Sequence, residues 1–394
     1  MTFPTRFSDL PEYAFPRLRG LLSGRRAGGP TIDMTIGEPR HPMPDFVADV
    51  MADSVGGFAK YPPNDGTAAL REAIAGWIGR RYGVFLDSER HVMPLNGTRE
   101  GLFNACLALC PELKGRAKPV VLIPNPFYQA YAAAALAVGA EPVFVNATAE
   151  SGFLPNFAAL ERRLLDRVAV AYICSPSNPQ GAVATEEYWR GLLDLAEIHD
   201  FRIFADECYS EIYRDAPPPG ALQIAQGSGA DAERVVIFHS LSKRSNLPGL
   251  RSGFVAGGEK SLARLKQLRA YAGAPLPLPV QAVSERAWSD EAHVTASREM
   301  YREKYRIADE VFLGIPGYRR PDAGFFLWLP VPDGENAAIA AWEAAGVRVL
   351  PGAYLGRATR QGNPGHGYVR VAMVGDAEEV RRGLTALRQC FYEQ

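Results

Sequence analysis

The sequence predicts an α/β protein: a mostly parallel sheet covered by helices on both faces, followed by a smaller α/β domain. Three observations support this. Short stretches at 120–123, 143–145, 168–174, 202–205 and 235–238 are almost wholly apolar, which is the pattern of strands buried on both faces rather than one. Segments with helical apolar spacing at 130–138, 160–165 and 188–199 alternate with them, as crossover helices between parallel strands do. After Gly258 the alternation stops and longer helical stretches take over.

In order along the chain, residues 1–40 are rich in Pro, Gly and Arg around a short helical piece at 17–22, so they read as an arm with little core of its own. The arm ends at the turn Ile36-Gly37-Glu38-Pro39. Phe46, Val47, Val50 and Met51 predict a helix over 45–55 that stops at Gly56-Gly57. Thr67 is placed to cap a helix over 68–82, whose inward stripe is Leu70, Ile74, Trp77 and Ile78. Gly97-Thr98 opens the next helix, marked by Leu102, Phe103, Cys106 and Leu109. Beyond the alternating region come a helix at 261–271, the Pro-rich 275–279 and one long helical region over 281–312. A strand at 325–329, a helix at 337–345, a strand at 347–350, a loop at 351–367, an alternating strand at 368–373 and a last helix at 377–391 complete the chain. The expected division is an arm, 1–40, completing the smaller domain; a large domain, 41–280; and a small C-terminal domain, 281–394.

Composition excludes several classes of function. Among 394 residues, 43 basic and 44 acidic side chains are well mixed, so neither a nucleic-acid stripe nor an acidic tail is expected. The arm shows no helix-turn-helix pattern, which argues against a DNA-binding regulator. The five cysteines include no C-x-x-C pair and are odd in number, as expected of reduced thiols in a cytoplasmic protein. The N-terminus lacks the apolar stretch of a signal peptide, and the longest apolar run, 130–140, is too short to span a bilayer. The six histidines have no ligand spacing, so no metal is expected.

The chemistry gathers where strands end, because open α/β sheets bind ligands beyond the carboxyl ends of their strands. After the apolar 235–238 come Ser240-Leu-Ser242-Lys243-Arg244 and, eight residues past the lysine, Arg251-Ser-Gly253. Like charge and burial both disfavour an ammonium, which makes Lys243 a candidate nucleophilic amine able to form a Schiff base. Arg251, Ser240 and Ser242 offer donors to a phosphate, and amine plus phosphate cradle suggests pyridoxal phosphate. Gly97 and Thr98 at a helix start are a second set of phosphate donors. Asp206, ending an apolar strand, needs a cation, and a protonated pyridine nitrogen would serve. Asn178 and Tyr209 can donate to a ring phenolate oxygen, Tyr128 can stack on the ring, and Arg370 can grip a carboxylate with both arms of its fork.

In this order along the chain, Gly97-Thr98, Tyr128, Asn178-Pro-x-Gly181, Asp206-x-x-Tyr209, Ser240-x-x-Lys243, Arg251-x-Gly253 and Arg370 resemble the motifs of the class I/II, fold-type I aminotransferases. The resemblance spans nearly the whole chain. It implies a seven-stranded sheet in an α/β/α sandwich, pyridoxal 5′-phosphate as cofactor, and amino-acid and keto-acid substrates. It implies Lys243 as the Schiff-base lysine, Asp206 as the pyridinium partner and Arg370 as the α-carboxylate clamp. Tyr61 resembles the tyrosine that reaches the phosphate of a neighbouring subunit, implying a homodimer with shared sites, and Gly37 a glycine on the substrate side. The phrases I-G-E-P-R-H, P-N-P-F-Y-Q, E-C-Y-S-E-I-Y and N-P-G-H-G are similar to the diaminopimelate branch, which exchanges an amino group between glutamate and a succinylated keto-diacid. Arg40, Arg99 and Arg244 are expected as extra cations for such a substrate's remote carboxylates.

Overall fold

The computed structural model describes residues 3, 5–8 and 10–393; Met1, Thr2, Pro4 and Asp9, which the expected arm includes, lie outside the described residues. A seven-stranded sheet forms the centre. Its order runs from Val92–Leu95 through Gly253–Gly257, Val235–Ser240, Arg202–Asp206, Val168–Cys174 and Val120–Asn125 to Glu141–Asn146. Gly253–Gly257 is antiparallel to both neighbours, and the five strands beyond it pair in parallel.

The continuous apolar strands are explained by their two buried faces. Ile203, Ala205, Val235 and Ile237 pack with Leu70, Ile74, Trp77, Trp189 and Leu192 on one side. Their chain neighbours Phe204, Val236 and Phe238 pack with Tyr172, Leu102, Cys106 and Tyr131 on the other. The helix Ala68–Tyr82 begins as its capping residue predicts, with Thr67 Oγ1 accepting from the Leu70 N–H at 3.3 Å. Trp77 of this helix meets Trp288 at 4.8 Å between ring centroids.

A three-stranded antiparallel sheet, ordered Leu350–Pro351, Tyr368–Ala372, Phe326–Pro330, lies in the C-terminal part. Ile32–Asp33 of the arm pairs in parallel with Val347–Arg348. The expected single strand at 347–350 is therefore two pieces in two sheets.

Other expectations need correction. The long helical region is two helices, Leu278–Ser289 and Ala292–Phe312, because Asp290 turns the chain and accepts the His293 N–H and ring nitrogen through Oδ1. The first starts before residue 281, with Pro279 in its opening turn, where a missing N–H costs no helical bond; the expected boundary at 280 falls inside it. The helix expected to stop at Gly56-Gly57 ends at Ser54 and continues as a 3₁₀ turn, Val55–Ala59. The helix expected over 160–165 shrinks to Arg162–Leu165. Gly253–Gly257 and the helix Ala221–Ser228 were not expected. The strand's glycines serve close backbone approach: a Cβ on Gly253 would lie 2.5 Å from the His239 carbonyl oxygen, and one on Gly257 2.6 Å from that of Val235.

Ile74 is fully buried between helix and sheet. Ile74→Ala should destabilise by about 3 kcal/mol, read as a lowered thermal unfolding midpoint with an unchanged far-ultraviolet spectrum in the folded state.

Candidate active site

Parallel register lines up the strand ends that matter. Cys174 pairs with Asp206 and Asp206 with Phe238, so the loops after these strands open on one side of the sheet. They frame a cleft of about 380 Å³. Of the residues singled out in the sequence, Gly37, Thr98, Arg99, Tyr128, Asn178, Asp206, Tyr209, Ser240, Ser242, Lys243, Arg251 and Arg370 line it.

Lys243 lies on the short helix Leu241–Arg244 directly after its strand. Its Nζ donates to the Gly37 carbonyl at 2.7 Å and lies 5.6 Å from the Phe325 ring centroid. Burial is the main reason its pKa falls to about 8; Arg251 and Arg370 push the same way, against Cys208 and Glu38. Gly37 fits closely here: a Cβ would lie 2.5 Å from the Phe326 ring, so any larger residue requires that ring or the backbone to shift.

Asp206 is 6% exposed. Its Oδ2 accepts from the Tyr131 hydroxyl at 2.7 Å and its Oδ1 from the Cys208 N–H at 3.3 Å. Burial pushes its pKa up, and these hydrogen bonds oppose the rise. Among the described residues it has no salt-bridge partner. The cleft thus holds a buried carboxylate without a cation, a costly arrangement that a cationic ring nitrogen would relieve.

Arg370 presents the opposite case. It is 5% exposed, donates to Asn178 Oδ1 at 3.1 Å and to the Thr35 carbonyl at 2.7 Å, and lies 4.4 Å over the Phe326 ring. Among the described residues its buried Nε has no hydrogen-bond partner, and burial lowers its pKa to about 10. With no carboxylate among the described residues to neutralise it, it is a ready acceptor of an anion. Asn178 gives its oxygen to this arginine and keeps its amide N–H groups for the cleft. Tyr209 is buried edge-on against Phe325 at 5.5 Å, and burial raises its pKa.

At the cradle end, the Ser240 hydroxyl accepts the Ser242 N–H at 3.1 Å. Arg251 sits in the left-handed region (φ 54°) and donates to the Pro248 carbonyl at 2.9 Å. Gly97, at φ 80°, caps the twelve-residue helix Thr98–Leu109, and a Cβ there would be 2.2 Å from Arg251 Nη2. Only glycine lets the guanidinium lie against this helix start. Hydroxyls, a guanidinium and helix N–H groups then converge as a phosphate site requires. The donor set, the uncompensated carboxylate and the lysine together fit pyridoxal 5′-phosphate.

At the mouth, the Tyr128 hydroxyl accepts from Arg99 Nε, and Arg99 is exposed. Three sequence candidates are not brought to the cleft. Arg40 is paired on the surface with Glu379 at 3.1 Å and bonded to the Asp33 carbonyl, outside the lining of the cleft. Arg244 is buried, paired with Glu291 at 2.7 Å and set 4.9 Å over the Trp288 ring, so it braces the core. Tyr61 is fully exposed and outside its own chain's cleft. Conversely, sequence reasoning missed Tyr131 and Thr35. Tyr131 had a signal: a hydroxyl in an otherwise apolar helix against the sheet must find a buried partner. Thr35 contributes only a carbonyl, for which side-chain patterns hold no signal.

A sequence profile of the family described as aminotransferase class I and II matches residues 30–387. The chain is 34% identical to an LL-diaminopimelate aminotransferase of Desulforudis audaxviator, over 98% of this chain and 97% of that one. Its fold matches an aminotransferase from Neisseria meningitidis with a TM-score of 0.94 at 38% identity, covering 99% of this chain and all of the other. It also matches a probable N-succinyldiaminopimelate aminotransferase from Thermus thermophilus with a TM-score of 0.84 at 26% identity, over 96% of this chain and all of that one. Matched over most of its length by the profile and nearly end to end by these relatives, the chain belongs to the class I and II aminotransferases, enzymes that depend on pyridoxal 5′-phosphate.

Proposed function

We propose that this aminotransferase exchanges an amino group between glutamate and N-succinyl-2-amino-6-oxopimelate, a step of lysine and diaminopimelate formation. The observation that supports it is the charge of the cleft: of the described residues lining it, Arg99, Arg251, Lys243 and Arg370 are cationic and Asp206, at the floor, is the one carboxylate. A succinylated substrate brings carboxylates to both ends and a neutral amide between, so Arg370 takes the α-carboxylate and Arg99 at the mouth the remote one. A second reading is the unsubstituted LL-diaminopimelate, favoured by the name of the Desulforudis relative. Its far end carries an ammonium as well, for which the lining offers no carboxylate near the mouth.

The residues divide the work. Bound pyridoxal phosphate supplies an electron sink for the carbanion formed at the substrate's α-carbon. Asp206 would hold the protonated ring nitrogen, with Tyr131 and the Cys208 N–H keeping the carboxylate ionised and aimed. Ser240, Ser242, Thr98 and Arg251 would hold the phosphate, Asn178 and Tyr209 the phenolate oxygen, and Tyr128 one face of the ring. Lys243 would anchor the cofactor until the incoming amino acid takes its place, and its neutral Nζ is then the base placed to accept the substrate's α-proton and to give it back. We read the assembly as a cytoplasmic homodimer in which Tyr61, exposed here, reaches the neighbouring cradle.

Three outcomes follow. Protein stripped of cofactor should take up pyridoxal phosphate at a rate that climbs with pH through about 8 and then levels, because the neutral Lys243 amine is the nucleophile; Lys243→Ala should lose the visible absorbance and all transamination. Arg370→Ala should lower kcat/KM for glutamate and for the diacid alike by about thirtyfold or more, equivalent to about 2 kcal/mol for stranding one partner of a buried charged pair. In single-turnover half-reactions, N-succinyl-LL-diaminopimelate should convert the cofactor faster than LL-diaminopimelate, alanine or aromatic amino acids. Preference for LL-diaminopimelate would establish the second reading instead.

A further inference from the structure

A buried lysine that the site does not use lies behind the cleft. Lys304, on the helix Ala292–Phe312, is 2% exposed, and its Nζ lies 2.5 Å from His41 Nε2. The amine is 4.8 Å from the Tyr301 ring centroid, and the His41 ring packs on the same tyrosine at 4.3 Å. His41 Nδ1 faces Ser297 Oγ at 3.3 Å; with Nδ1 donating there, Nε2 is left to accept from Lys304. The charged groups that act on Lys304 are Glu303 on its own helix, Asp376 and Glu379 at the start of the helix Ala377–Tyr392, and Arg40 beside His41. None of these carboxylates pairs with it: Glu379 is engaged by Arg40, and Asp376 by the Glu379 N–H. The ammonium therefore has an imidazole where a buried cation needs an anion.

The segment that carries His41 also touches the reactive loop. Gly37 gives its carbonyl to Lys243 Nζ at 2.7 Å, Pro42 gives its own to Asn246 Nδ2 at 3.5 Å, and the Ser297 that faces His41 lies 3.1 Å from the same Asn246 amide. Asn246 is three residues past the lysine.

We propose that segment 37–42 is a proton-sensitive latch: Lys304 and His41 share at most one proton while it is seated, and proton uptake by the pair unseats it and withdraws the Gly37 carbonyl from Lys243. Both are positioning residues, and the second half of the statement rests on Lys243 being the reactive amine. The sign follows from linkage. Seated, Lys304 is pushed down to about 7 and His41 to about 4, in both cases mainly by burial. Unseated and solvated, they return toward about 10.4 and 6.5. The unseated state binds more protons, so unseating grows as pH falls, first down to about 7 through Lys304 and again below about 6.5 through His41.

The test is hydrogen exchange of the holoenzyme from pH 9 to 5, read by mass spectrometry at the hydrogen-bonded amides that adjoin this segment, Met34 and Thr35 at its start and Ala372 packed against it, and corrected for the intrinsic exchange rate. Opening should increase by about tenfold or more between pH 9 and 7, the ceiling for one proton being about tenfold per pH unit. Lys304→Met should flatten that window. His41→Phe, which keeps a ring on Tyr301, should remove the step below pH 6.5 and serves if the methionine variant does not fold. A wild-type profile without pH dependence, or variants that keep it, would overturn the latch. The pH midpoint of the cofactor's visible absorbance should shift in Lys304→Met; an unmoved midpoint with flattened exchange would overturn the link to Lys243. If Lys243→Ala kept that absorbance, the reading of Lys243 would fail while the exchange result stood.

Discussion

A carboxylate at the floor of a cleft, bonded to a tyrosine hydroxyl and a backbone N–H but to no cation, is the constraint on which the site depends. Asp206 ends a strand whose neighbours are apolar on both faces, so the sheet that builds the core also desolvates the group. Arg370 repeats the problem with opposite sign on the small sheet, and Lys243 repeats it on the short helix after Ser240. The three do not neutralise one another, because Asp206 forms no salt bridge among the described residues. A cofactor with a ring cation and a carbonyl for the amine, and a substrate with a carboxylate for the guanidinium, satisfy all three between them. Preorganised charges of this kind are costly in the free protein and favourable only with the right occupant, which is why the fold keeps them rigid on strand ends.

How far the sequence disclosed this depended on whether a signal was local. The doubly buried strands, the Thr67 cap and the residues following strand ends were legible because each is set by its own neighbours in the chain. The helix break at Asp290 was not, since an apolar periodicity continues across it while one side chain turns the backbone. Arg40 and Arg244 were misplaced for a related reason. Both stand beside reactive motifs, yet each is claimed by a distant carboxylate, Glu379 across 339 residues and Glu291 across 47. Proximity in sequence to Lys243 made Arg244 look functional, and only the fold shows it sandwiched by Trp77 and Trp288. The strand Gly253–Gly257 was hidden because its glycines read as loop, whereas they admit the neighbouring carbonyls.

The arm was the least legible part and the most consequential. Its own sequence holds little that could form a core, but it supplies backbone to the site: the Thr35 carbonyl to Arg370 and the Gly37 carbonyl to Lys243. Backbone groups leave no trace in residue patterns except where a side chain is crowded, and Gly37, pressed on Phe326, is that trace.

These contacts join the arm to the carboxylate clamp proposed at Arg370. A guanidinium carries five N–H groups, and Arg370 spends one on Asn178 and one on Thr35. Three remain, including the buried Nε that has no partner among the described residues, enough for a two-pronged grip on a carboxylate. That grip is formed by a cation already holding the arm, two residues before the carbonyl that holds Lys243. Moving the arm therefore alters the clamp and the amine together, while a carboxylate bound at Arg370 favours the arm position in which Lys243 is held. Clamp, arm and amine then share one equilibrium, and the protonation of a lysine outside the cleft can reach the chemistry through His41 without touching the substrate.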